Sequence, residues 1–118
     1  MIMRDTPPDI MNMLQRTILL LYAYDADAED RSAHHEIHTA ISLISRLPRI
    51  MVLTYYAKQA RYNNGSMIMH RFIPGQSTAE TILSMLRPDR QFTAEEARML
   101  DIMLCLHAEH GGGNNSTF

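Results

Sequence analysis

The chain has one cysteine, Cys105, among 118 residues. That excludes an internal disulfide framework and fits a reducing compartment. Cys105 stands between Leu104 and Leu106 in a helical pattern, so a buried, inert thiol is expected. Basic residues do not outnumber acidic ones; the formal net charge is −2. With no basic stripe, nucleic acid is a poor partner class. Long apolar runs are missing too. The longest, Ile18 to Ala23, falls far short of the ~20 residues a spanning helix needs. The first residues show no charged-then-apolar leader pattern. A cytoplasmic protein that engages no membrane is the expectation. No stretch alternates with the period of a strand, and no segment repeats. The class expected is all-α, about five helices in a single unit over residues 1–118.

What the chain does contain is helical periodicity and its punctuation. Thr6 reads as an N-cap, with Pro7 in the first turn and Asp9 near the positive end of the helix dipole. Ile10, Met13, Leu14, Thr17, Ile18, Leu21 and Tyr22 then recur at helical spacing, and Leu19 and Leu20 widen the apolar surface. A helix so apolar around its girth calls for cover on more than one side. The ten methionines fall mostly on such stripes and read as core fillers, or as an adaptable subunit interface. Asp25 to Asp30 is a short acidic connector. The glycine and the terminal glutamate of a calcium loop are not in register.

A second helix begins near Ser32 and carries Ile37, Ala40, Ile41, Ile44 and Leu47 on one face. Pro48 interrupts it, and Ile50, Leu53, Thr54 and Ala57 resume in phase. Proline removes a backbone donor and crowds the preceding turn, so two helices meeting at a sharp bend are expected. Asn63, Asn64 and Gly65 end the second. His34, His35 and His38 do not match a zincin pattern, because Thr39 stands where the second histidine belongs. They read as a solvated first turn. Met67 to Met69 could be extended, and His70 to Phe72 reads as a loop that touches something. Ser77 with Glu80, and Thr93 with Glu96, are two capping boxes, the second flanked by Phe92 and Ala97 in the positions of a hydrophobic staple.

The last helix presents Ala97, Leu100, Met103, Leu104 and His107 on one face, which points His107 inward. It runs into His107, Glu109 and His110, then into Gly111 to Gly113, Asn114, Asn115 and Ser116. Glycines permit close backbone approach, and exposed N–H groups beside imidazoles suit a small carboxylate ligand. The pattern is neither a Walker A loop nor a dinucleotide fingerprint. Zinc fits poorly, because Glu109 faces away from the two histidines, and no metal is expected.

Leu106-His107-Ala108-Glu109-His110-Gly111-Gly112-Gly113-Asn114-Asn115-Ser116-Thr117-Phe118 resembles the histidine segment of citrate synthases, most closely the bacterial branch. Leu43 to Pro48, Ser77 to Glu80 with Met85 to Asp89, and Glu96 to Leu106 resemble the family upstream of it. The resemblance spans the chain from about Asp9. It implies part of a large helical domain, truncated on its C-terminal side, of an enzyme of the tricarboxylic acid cycle. That enzyme is an acyltransferase. It deprotonates acetyl-CoA, adds the enol to oxaloacetate, and hydrolyses the thioester to citrate and CoA. Acetyl-CoA is a co-substrate, and no cofactor is implied.

By the same resemblance His110 and Asn114 bind oxaloacetate, while Ser116 and His107 support the pocket. The family's catalytic aspartate and two histidines lie downstream of the matched segment, and no Gly-Pro-x-His-Gly-Gly motif occurs here. No catalytic residue is therefore assigned, and the chain alone is expected to be inactive. A homodimer is implied, with the first helix at its interface. The competing readings are a stand-alone all-α module binding a carboxylate or a protein without catalysis, and a small metal-binding helical protein.

Overall fold

A computed structural model of the protein describes residues 6–108. Those residues form four α-helices: α1 (Ile10–Leu21), α2 (Ala33–Tyr62), α3 (Thr78–Leu86) and α4 (Ala94–Ala108). A 3-10 turn at Tyr22–Tyr24 follows α1. No strand occurs among the described residues, and no helix there is long and apolar enough to cross a membrane. The chain divides into two compact units, Met1–Met69 and His70–Phe118.

In the first unit α1 packs on α2. The cap of α1 is Asp9, not Thr6: its Oδ1 accepts from the backbone N–H of Met11 at 2.8 Å and of Asn12 at 3.4 Å. The reason is chemical. A capping side chain bonds N–H groups two or three residues ahead; Asp9 finds both, on Met11 and Asn12, whereas for Thr6 one of the two positions is Pro8, which has none. Thr6 is instead buried, and its carbonyl accepts the Tyr62 hydroxyl at 2.6 Å. Thus the start of the unit is fastened to the last turn of α2.

The acidic connector is exposed over most of its length. Its carboxylates bond neighbouring groups: Asp25 accepts from the Asp27 N–H at 3.1 Å, and Asp30 from the Ser32 N–H at 2.8 Å. Donation from Ser32 holds the Asp30 carboxyl below its usual range. Tyr22 donates to the Glu29 carboxylate, which pushes its phenol pKa up.

α2 begins where expected, and Ser32 caps it, accepting from the His35 N–H at 3.3 Å. The break expected at Pro48 is absent. Pro48 lies buried inside one continuous 30-residue helix. Proline removes a single ladder bond, whereas the turns on either side keep theirs, and burial of Val52, Tyr56 and Ala57 favours the helix beyond it. The helix stops where expected. Asn64 takes a φ of 52°, and the N–H groups of Asn63 and Gly65 both reach the Gln59 carbonyl at 3.0 Å.

Burial corrects one apolar face. Leu43 and Leu47 are half-buried, but Ile37, Ile41 and Ile44 are each more than 60% exposed. A single helix laid against α2 covers only one side of it, and these isoleucines lie on another. On α1, Met13 and Thr17 are buried while Leu19 is 74% exposed. The buried threonines satisfy their hydroxyls within the helix: Thr17 donates to the Met13 carbonyl and Thr54 to the Met51 carbonyl, both at 2.8 Å.

The second unit is α3 packed on α4. Both capping boxes form. Ser77 accepts from the Glu80 N–H at 3.2 Å, and its own N–H donates to Glu80 at 2.7 Å. The Thr93 and Glu96 pair repeats this at 3.2 and 2.8 Å. Met67 to Met69 adopts no regular structure. The loop after it does touch something. His70 Nε2 meets the Arg87 carbonyl at 3.0 Å, and the Arg90 guanidinium donates to the Arg71 carbonyl at 3.0 Å. Arg90 itself sits at a φ of 62°, uncommon for a residue with a side chain.

Candidate functional site

The turn between α3 and α4 aims the last helix. Arg87 ends α3, and its guanidinium grips the Glu96 carboxylate at 2.9 and 2.6 Å while also donating to the Gln91 carbonyl at 2.8 Å. The fork-shaped geometry suits Arg and carboxylate and fixes direction as well as distance. Donation from Arg87, then from the Thr93 N–H, lowers the Glu96 pKa to about 2. One carboxylate therefore caps α4 and ties it to the end of α3.

At the other end of α4 stands His107. Contrary to expectation it is exposed, with Nδ1 2.8 Å from the Met103 carbonyl of its own helix. Cys105 is exposed too, not buried. The cause is length. At about 1.5 Å per residue, nine-residue α3 spans ~14 Å and fifteen-residue α4 ~22 Å. The pair starts from the shared turn, so α3 runs out first. Ala97, near that turn, is buried, whereas Met103 and Leu106 in the later turns are half exposed or more. His110, Asn114 and Ser116, with Glu109 and the three glycines, lie outside the described residues.

The first unit holds a cavity of about 480 Å³ between the end of α1, the acidic connector and the start of α2. Tyr22, Tyr24 and Leu21 form its apolar wall, and His35, Thr39 and Arg46 its polar one. His35 Nε2 lies 3.2 Å from the Thr39 hydroxyl and 3.6 Å from the Asp25 carboxylate. His34 and His38 are exposed, in keeping with a solvated first turn, but His35 is half-buried. Its side chain turns toward a carboxylate ten residues earlier, which helical spacing alone does not reveal.

Comparison with known families matches the whole of this framework. The family model for the citrate synthase C-terminal domain covers residues 1–118. The chain belongs to the citrate synthase family. No curated protein and no solved structure matches it. Of the residues expected at the site, His107 is the one the structure describes, near the end of a helix whose other end is clamped.

Proposed function

We propose that this chain serves in an enzyme that condenses acetyl-CoA with oxaloacetate, giving citrate and CoA as a step of the tricarboxylic acid cycle. The observation that carries the reading is the family match over residues 1–118, which includes the segment from Leu106 to Phe118. His110 and Asn114 contact oxaloacetate; His107 and Ser116 support the pocket. An imidazolium donating to a carboxylate makes a charge-assisted bond, stronger than a neutral one. The bacterial branch of the family is the best fit to the glycine-rich form of the segment. The enzyme takes no cofactor and works in the cytoplasm, without nucleic acid or membrane.

Proton abstraction needs a base within hydrogen-bond reach of the substrate. The family's base lies downstream of the matched segment, so the chain by itself does not turn over. Exposure of Ile37, Ile41, Ile44 and Leu19 supports a homodimer, because apolar rows of this kind mark contact surfaces.

The test is a chimera. This chain replaces the corresponding segment of an active family enzyme, and CoA thiol release is followed with acetyl-CoA and oxaloacetate. The chimera is expected to turn over, with His110→Ala lowering kcat/KM about ten- to hundredfold, as loss of a charged hydrogen bond dictates. A folded chimera without activity, or one indifferent to His110→Ala, refutes the reading.

A further inference from the structure

Two imidazoles of the second unit commit opposite ring nitrogens. His107 places Nδ1 2.8 Å from the Met103 carbonyl oxygen. His70 places Nε2 3.0 Å from the Arg87 carbonyl oxygen. A carbonyl oxygen only accepts, so the nitrogen facing it carries the proton. When neutral, His70 is therefore the Nε2–H tautomer and His107 the Nδ1–H tautomer. The bond at His107 suits its place. The Met103 carbonyl, inside α4, has two lone pairs and can take the imidazole proton as well as a helix N–H.

Two consequences follow for His107. Its ring is held against its own helix, so its direction is set by α4. Its one uncommitted nitrogen is Nε2, on an exposed ring in the last turn. Among the described residues nothing bonds that atom. A neutral ring offers a lone pair there, and a protonated ring offers a donor.

We propose that His107 is a substrate-binding residue locked in the Nδ1–H form by the Met103 carbonyl, and that it meets the keto-acid ligand through Nε2 alone. The ligand half rests on the reading that α4 ends at the oxaloacetate pocket; the lock does not. The assignment changes the part His107 plays, from a support within the helix to a contact with the ligand.

The lock is read from a long-range proton–nitrogen spectrum of the imidazoles in the 118-residue chain, above the pH range in which histidine titrates. Peaks are assigned with His107→Asn and His70→Asn, each checked for an unchanged backbone amide spectrum. His107 is expected to show a protonated Nδ1 and an unprotonated Nε2, and His70 the reverse. Exposed His34 and His38 serve as references, since a free imidazole side chain favours the Nε2–H form. A His107 pattern like that of His70 or of the references overturns the lock.

Oxaloacetate is then added. The expected result is a shift at His107 Nε2 larger than at Nδ1. The response should persist in His107→Gln, whose amide sits where Nε2 was, and be lost in His107→Asn, whose amide replaces Nδ1. The opposite order overturns the ligand half, as does a silent Nε2 while other resonances move. If oxaloacetate moves no resonance at all, the pocket assignment fails and the ligand half with it. The lock is still decided by the first spectrum.

Discussion

Arg87 and Glu96 are nine residues apart, yet their side chains meet in a two-pronged ion pair with contacts of 2.9 and 2.6 Å. Glu96 also caps its own helix through the Thr93 N–H at 2.8 Å. This pair turns the short connection between α3 and α4 into a fixed angle, and the histidine segment hangs from the far end of α4.

The pair makes stability depend on acid. Glu96 has a folded pKa of about 2, below the ordinary value of 4.5. The unfolded chain therefore takes up the proton first as pH falls. The stabilisation from Glu96 is complete above about pH 4.5 and is lost as pH drops toward 2. Urea unfolding at a series of pH values should show wild type losing more stability across that window than Glu96→Gln. Parallel curves would show that the pair does not stabilise the fold.

Capping can be measured next to it. Ser77→Ala leaves the Glu80 N–H without its side-chain acceptor and should cost about 1 kcal/mol. Thr78→Ala, one residue on and exposed, should change stability by less than about 0.5 kcal/mol. Chemical denaturation midpoints compare the two. Equal losses would mean that the box contributes nothing beyond helix propensity.

Tyr62→Phe removes one hydroxyl and thereby the bond to the Thr6 carbonyl. The expected cost is about 0.5–1.5 kcal/mol. Hydrogen exchange should speed up at the capped amides of α1, those of Met11 and Asn12. Unchanged protection there would show that the tie does not hold the start of α1.

The exposed isoleucines carry the prediction on assembly. Sedimentation should reveal self-association of the chain, and Ile41→Glu with Ile44→Glu should yield monomers. Because both side chains are over 60% exposed, the helical circular dichroism of the double variant should stay unchanged. A chain that sediments as a monomer at every concentration counts against the dimer.

Catalysis offers a sharper contrast. With acetyl-CoA and oxaloacetate the 118-residue chain should release no CoA above background, since the proposed function takes its base from outside these residues. Turnover by the chain alone would mean that another group takes the proton.

Much of this molecule was legible without coordinates, and for one reason. Capping boxes at Ser77 and Thr93, the start of α2 near Ser32 and the Asn-Gly stop after it are made by groups no more than six residues apart, so spacing alone encodes them. The all-α class follows from periodicity in the same way, and the terminal motif carries the family. Thr6 shows the limit within that local regime: Pro8 two residues ahead offers no N–H, and Asp9, with donors at both positions, is the cap.

Tertiary structure decided what periodicity cannot state, namely which faces have something lying on them. The stripe through Ile37, Ile41 and Ile44 has the spacing of a buried face, yet α1 lies on another side of α2. Likewise His107 and Cys105 continue an apolar run, but α3 is too short to reach them. Pro48 was outweighed by the turns around it, because helix formation is cooperative and one missing bond is a small part of a long ladder. The sequence by itself determined the all-α class, the two capping boxes, the start and stop of α2 and the family. Which residues those helices cover depended on how long each helix is and what packs against it.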